Sequence, residues 1–377
     1  MSPTVGIVAL AAMLIVVILV HEAAHFAFAK RFGFKVEEFF VGFGPKLWST
    51  RRGETEYGLK AIVAGGYVKI AGMNPFQPTP PEDRDRSYGA KPIWQRAIVI
   101  VAGPATHFVL AFVFLAVALA MVGRPTDTAS LNGIAPSLNG AVSPAAEAGL
   151  RPGDRIVSLS ADGSSTVRDP SVDAFGTFVQ AHVGDPITIT VRRGDRTVTR
   201  TLTPVRSTVD GRPQGRIGVT VGEATEPVGV TGALTGALAL EGRMIVEAVE
   251  NMGRVFGPDG VRRIGELLFT DAPRESSDAA SVVGISRVAG EVARTGQVAL
   301  LLQMFAFINL FIGLLNLLPL PPFDGGHLAV LLIEKIRGRG VDMRKMVPVS
   351  AVVLVFFVMF TMATVFLDLT KPLQVSH

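Results

Sequence analysis

Residues 3–25 read PTVGIVALAAMLIVVILVHEAAH, eighteen uncharged residues running straight into His21-Glu22-Ala23-Ala24-His25. The apolar pattern then continues to Ala29, ahead of Lys30 and Arg31. Such a stretch is long enough to cross a bilayer as a helix. Ionisable groups inside a span are costly and mark function. Positions i and i+4 share a helix face, so both imidazoles can reach one metal ion. Glu22 lies about 100° round the helix, placed to act as general base on water. The alternative is a polar seam that binds neighbouring helices. A cleaved secretory signal needs a basic residue ahead of its apolar run. No Lys or Arg precedes Lys30, and no clear cleavage site follows.

Three more stretches lack Asp, Glu, Lys and Arg: 97–123, 295–323 and 346–367. The 377 residues are 49% hydrophobic and 18% charged, below the roughly 25% charge of soluble domains. A disordered chain is excluded, and a purely soluble one is disfavoured. With no cysteine, disulfides, thiolate zinc sites and cysteine nucleophiles are excluded. The net charge of +4 is too mild to mark a nucleic-acid binder. Residues 30–96 hold 12 Lys/Arg and 335–345 hold five, so both loops are expected in the cytoplasm. Four spans then put both termini and residues 124–294 outside it.

The expected organisation is a first span over 1–30, a β-rich region and linker over 31–96, a second span over 97–123, and a soluble domain over 130–220. An extracytoplasmic helical segment follows over 221–294, then a third span with its acidic motif over 295–333, a cytoplasmic loop over 334–345 and a fourth span over 346–367. Residues 31–72 alternate aromatic and β-branched residues with glycines, as hairpin strands do. They form either a hairpin against the membrane or a small cytoplasmic β-subdomain. The Pro-rich 74–81 and charged 82–86 read as a mobile linker. Residues 228–294 look helical but too polar to span, and are expected to pack on the soluble domain rather than lie along the membrane face.

A catalytic zinc site takes three protein ligands and leaves one position open. The candidates for the third are Glu37, Glu38, Asp324, His107 and His327. Glu37 and Glu38 fall past the end of the first helix. Asp324 closes the third uncharged stretch, inside Asn316-Leu317-Leu318-Pro319-Leu320-Pro321-Pro322-Phe323-Asp324-Gly325-Gly326-His327. In an outside-to-inside third span it falls in the cytoplasmic half. His25 lies five residues, about 7 Å of helix, before Lys30, at similar depth. The prolines break the helix, which a membrane tolerates only beside protein or a water-filled cavity. A helix cap or turn is the alternative role for Asp324. His107 is expected in helix packing, with lining the cavity as its alternative, and His327 at the interface or orienting nearby groups.

These motifs resemble the site-2 protease family, zinc metalloproteases that cut inside membranes. More narrowly the chain is similar to the bacterial branch that carries an extracytoplasmic PDZ domain and regulates sigma factors. His21, Glu22 and His25 match the family's HExxH. Asn316, Pro319, Pro321, Asp324 and Gly325 match its NxxPxPxxDG-type motif, with Phe323 where leucine is usual. The resemblance implies an α-helical polytopic membrane protein with four transmembrane helices, a membrane-associated β-hairpin region and an inserted α+β PDZ domain. It implies Zn2+ on His21, His25 and Asp324, with Glu22 catalytic. Asn316 would bind substrate backbone or the oxyanion, and Gly65, Gly66, Tyr67 and Val68 would hold substrate as an added strand. Residues 42–45 match a GFGP element, 149–156 a PDZ turn, and 284–290 another family segment. Implied substrates are single-pass membrane proteins, such as anti-sigma factors after a first cut or signal-peptide remnants. The implied setting is a bacterial plasma membrane with lipid as partner, no nucleic acid, and the active site toward the cytoplasm. Two other classes are a membrane scaffold with a degenerate metal site and a transporter using the histidines as an ion site. No internal repeat of spans supports the transporter.

Overall fold

The structure is a computed structural model describing residues 3–372 apart from 75, 162–165, 210–211, 276 and 295. In chain order the first elements are α1 (Pro3–Arg31), β1 (Val36–Arg52), β2 (Thr55–Ile70), α2 (Ile93–Val122), β3 (Arg124–Ile134), β4 (Ser137–Leu138), β5 (Ala141–Val142) and α3 (Pro144–Glu147). Then come β6 (Arg155–Ala161), β7 (Val167–Arg168), α4 (Val172–Ala181), β8 (Ile187–Arg193), β9 (Arg196–Leu202), β10 (Val205–Val209), β11 (Arg212–Arg216) and β12 (Val219–Glu226). The chain ends with α5 (Val230–Phe256), α6 (Pro258–Phe269), α7 (Val282–Arg294), α8 (Val298–Asn316), α9 (Asp324–Arg337) and α10 (Val347–Thr370). Two compact units result, one of residues 1–121 with 234–377, the other of residues 122–233.

In the first unit four helices are long and apolar enough to cross a membrane: Thr4–Arg31, Ile93–Val122, Val298–Asn316 and Met343–Thr370. The shortest, at 19 residues, spans about 28 Å at helical rise, close to a bilayer's hydrocarbon thickness. Helix α7 packs directly on α1. A Cβ at Gly6 would lie 2.2 Å from the Ala289 carbonyl oxygen, so the two backbones touch. Small residues permit that approach between helices. Buried Asp368, near the end of α10, accepts from the Ser281 (2.7 Å) and Gly284 (3.0 Å) amides at the start of α7 and pairs with Arg274 at 2.7 Å. A carboxylate there satisfies amides that a helix N-terminus leaves free. From residue 234 onward the helical segment thus belongs with the spans, correcting the expectation that it packs on the soluble domain.

The β-rich region is more folded than a simple hairpin. Glu38 lies opposite both Lys69 and Glu56, and Phe40 opposite both Tyr67 and Gly58. The first half of β1 is therefore flanked on both sides by β2, while the second half of β1 pairs back on residues 55–60. Residues 66–70 form one outer row of this curled sheet. At Gly42 (φ +89°) a Cβ would meet the Ile62 and Lys60 carbonyl oxygens at 2.8 and 2.9 Å, so the bend requires glycine. Residues 81–90 are two short 3-10 turns strapped to the sheet, correcting the expected mobile linker. The Lys35 amide donates to Arg86 O (2.9 Å) and the Tyr88 amide to Ala71 O (2.8 Å). Glu54, at the far turn, takes both guanidinium nitrogens of Arg86 at 2.7 Å. That bond, against the opposing effect of burial and with help from Lys30, holds the Glu54 carboxyl down at about 2.

The second unit carries a sheet ordered β12-β3-β6-β8-β9, with β7 beside β6. Ile187, Ile189 and Val191 alternate inward on β8 and are fully buried, while Thr188 and Thr190 meet Thr201 and Thr199 across the strand pair. Its boundaries are wider than the expected 130–220 because edge strand β12 pairs with β3 as far as Arg124 opposite Glu226. The Gly-Leu-Arg-Pro-Gly-Asp turn is locked by Asp154, which accepts from the Arg151 amide (2.9 Å) and from Arg193 Nε and Nη2 (2.7 Å each). Burial raises the Asp154 carboxyl, but these bonds outweigh it and hold the group below its ordinary value.

Candidate metal centre

Three ligating atoms from two elements converge in the first unit. His21 Nε2 and His25 Nε2 are 3.0 Å apart. Asp324 Oδ2 lies 3.2 Å from the first and 3.4 Å from the second. Ligands about 2.05 Å from a tetrahedral zinc are separated by about 3.3 Å, so the donor set fits that ion. All three side chains are largely buried. The i, i+4 spacing on α1 turns both rings to one side. Asp324 is brought there as the first residue of α9, after α8 stops at Asn316 and residues 317–323 turn back. That return is tight. A Cβ at Gly325 would lie 2.2 Å from the Leu317 and Leu318 carbonyl oxygens, and one at Gly326 2.4 Å from Pro321 N. The two glycines after the aspartate allow the loop to close over the start of its helix.

A cavity of about 260 Å³ opens beside the triad. Glu22, Asn316, Gly66, Tyr67 and Val68 line it together with the three ligand residues. A Cβ at Gly66 would lie 2.9 Å from Glu22 Cγ, so the outer sheet row runs directly past the proposed base. Gly65, also on β2, is outside that lining and stands at φ +150° with Phe43 packed where its side chain would be. The Tyr67 hydroxyl donates to Glu38 at 2.5 Å. Burial first, and then that bond, raises the phenol above its ordinary value, so it stays protonated at neutral pH.

The other candidate ligands are placed elsewhere. Glu37 pairs with Lys69 at 2.9 Å and Glu38 is held by Tyr67, both on β1. His327 lines a neighbouring cavity with Glu38 and Lys69. His107 is buried between helices, as a packing role requires, and in addition its Nε2 sits 3.0 Å from His21 Nδ1. Its Nδ1 is 3.1 Å from Asn309 Oδ1. His25 Nδ1 donates to the Val99 carbonyl at 2.7 Å. Sequence reasoning also missed Gly103. A Cβ there would lie 2.2 Å from His25 Nε2 and 2.8 Å from His21 Cε1. The only sequence signal was its position four residues before His107.

Apolar spanning helices around two histidines and a carboxylate define a multi-pass membrane protein of the metallopeptidase class. The chain matches Peptidase family M50 over residues 9–360 and belongs to that family. Among similar proteins, zinc metalloprotease Rip1 of Mycobacterium tuberculosis is 35% identical over 98% of each chain. Zinc metalloprotease Rip1 of Mycolicibacterium smegmatis is 34% identical over 98% of each chain. A putative zinc metalloprotease of Brucella suis is 33% identical over 88% of this chain and 86% of its own.

Proposed function

We propose that this protein is a zinc metalloendopeptidase that hydrolyses a peptide bond within the transmembrane segment of single-pass membrane proteins. The observation carrying this reading is the His21–His25–Asp324 set, at ligand spacing, opening on a cavity shared with Glu22 and a sheet edge. Zinc, when bound there, supplies Lewis-acid chemistry, acidifying water and polarising the scissile carbonyl. Glu22 takes the proton of the attacking water and delivers it to the leaving amine, so proton count is conserved. Asn316 donates from its amide to the substrate carbonyl as negative charge develops.

A substrate helix keeps its carbonyls in i→i+4 bonds, so the segment must unwind before attack. Residues 66–70 offer backbone groups on an outer sheet row lining the same cavity, suited to holding an extended strand. Substrates of this kind are anti-sigma factors trimmed by a first protease, or signal-peptide remnants. The 122–233 unit, with its five-strand path and short helices, acts as a PDZ domain that admits trimmed substrates. The basic loops 30–96 and 335–345 support an orientation with the active site toward the cytoplasm of a bacterial plasma membrane, and with the PDZ unit and both termini outside.

The test uses full-length protein in mild detergent with a single-pass model substrate bearing helix-breaking residues. Glu22→Gln is expected to retain one zinc per chain and lose cleavage by about 10²–10⁴-fold. Asp324→Ala is expected to lose both. Full cleavage by Glu22→Gln refutes the mechanism.

A further inference from the structure

Two polar residues stand behind the metal centre, outside the His21–His25–Asp324 set and the lining of its cavity. His107 is on α2 and Asn309 on α8, both buried among apolar helices. Their hydrogen bonds run in one direction only. The Asn309 Nδ2 group donates to the Phe305 carbonyl at 3.3 Å. A carbonyl only accepts, so the amide is oriented with Oδ1 toward His107. Oδ1 is likewise only an acceptor, and His107 Nδ1, 3.1 Å away, must carry a proton. Neutral imidazole has one N–H. His107 Nε2 is then a lone pair, 3.0 Å from His21 Nδ1. His21 must donate from Nδ1, and its Nε2 is left bare on the side of His25 and Asp324.

The opposite tautomer of His21 would put a proton where the metal belongs. A fixed backbone carbonyl on α8 thus selects the metal-competent form of a ligand on α1, through one amide and one imidazole. His25 needs no such chain, because its Nδ1 donates directly to Val99 O. The fold also clears space for the second ring. A Cβ at Gly313, one turn past Asn309, would lie 2.8 Å from His107 Cβ.

We propose that His107 and Asn309 are positioning residues that hold His21 as the tautomer with a free Nε2, and so set the affinity of the site. This inference rests on the zinc reading above. Partners of this kind change metal affinity by about 10–100-fold when removed.

The experiment measures Zn2+ affinity of the full-length protein by competition with a chelator, and the visible spectrum of the Co2+-loaded form. His107→Leu, which keeps bulk but accepts nothing, is expected to bind about 10–100-fold more weakly and to show altered Co2+ bands. His107→Gln places an amide oxygen near the position of ring Nε2 and is expected to recover most of the affinity. Asn309→Leu, one bond further out, moves affinity in the same direction by less. Thermal melting of the metal-free proteins separates packing from positioning, because Leu and Gln at 107 should melt alike while binding differently. Wild-type affinity in His107→Leu overturns the proposal, as does a His107→Gln variant as weak as the leucine one. A wild-type protein that binds no zinc overturns the zinc reading itself, and this inference with it.

Discussion

Gly103→Ala is the sharpest steric test of the centre, adding a single methyl group. Its Cβ would sit 2.2 Å from His25 Nε2, 2.5 Å from His25 Cε1 and 2.8 Å from His21 Cε1. Ordinary carbon contacts need about 3.5 Å, so something must move by about 1 Å. Elsewhere a histidine ring could swing aside cheaply. Here the His25 ring is pinned by its bond to Val99 O, one turn before Gly103 on the same helix. Rotating it breaks that bond and withdraws Nε2 from its partners. Moving α2 instead drags His107 away from His21. Metal–ligand distances tolerate only about 0.2 Å, so either escape dismantles the site. The expected result is at least about 100-fold weaker zinc binding, the scale of a 1 Å misplacement, with the protein still folded. Zinc content after dialysis and chelator competition measure it. Gly89→Ala is the control, with nothing within 4 Å of its added Cβ. Wild-type zinc affinity in Gly103→Ala would show that the ligand geometry described above is wrong.

Gly66→Ala should separate chemistry from metal, because its Cβ presses on Glu22 Cγ at 2.9 Å and on the Phe40 carbonyl at 3.1 Å. Zinc stoichiometry should hold while kcat falls by about tenfold or more, read in a cleavage assay with metal analysis alongside. Arg96 and Glu334 form a largely buried bidentate pair (2.9 and 3.0 Å) joining α2 to α9, the helix that begins at Asp324. Arg96→Met alone should cost about 3–5 kcal/mol, and Arg96→Met with Glu334→Leu much less, by thermal or denaturant unfolding. The Glu54 strap gives a pH signature. Its folded value, about 2, lies below the ordinary 4.5, so its contribution is complete above about 4.5 and is lost as pH falls toward 2. Hydrogen exchange at the Lys35 and Tyr88 amides, corrected for intrinsic rate, should quicken in that window and not between pH 5 and 8.

The proposed ligands were legible in the sequence for a physical reason. Metal coordination restricts residue type, and a helix converts i, i+4 spacing into a shared face, so His21 and His25 declare themselves without tertiary information. Asp324 was legible by a different route, an isolated charge at the end of an apolar run among prolines. What supports the ligands was not, because support does not restrict residue type in the same way. A backbone carbonyl holds His25, and every residue has one. His107 and Asn309 meet across a sequence separation of 202, which no local period reports. Gly103 matters through an atom it lacks, and nothing in α2 marks it apart from an ordinary packing glycine until the rings of α1 are in place. The curled sheet escaped for a related reason. Alternation shows which residues favour strands, but β1 pairs with both halves of β2 through a series of register shifts, and those depend on bends at glycines whose partners lie elsewhere. The chemistry of the site is therefore written in its side chains, while its precision comes from absent atoms, main-chain groups and distant amides. Variants at those inconspicuous positions test the geometry more directly than further removal of the ligands themselves.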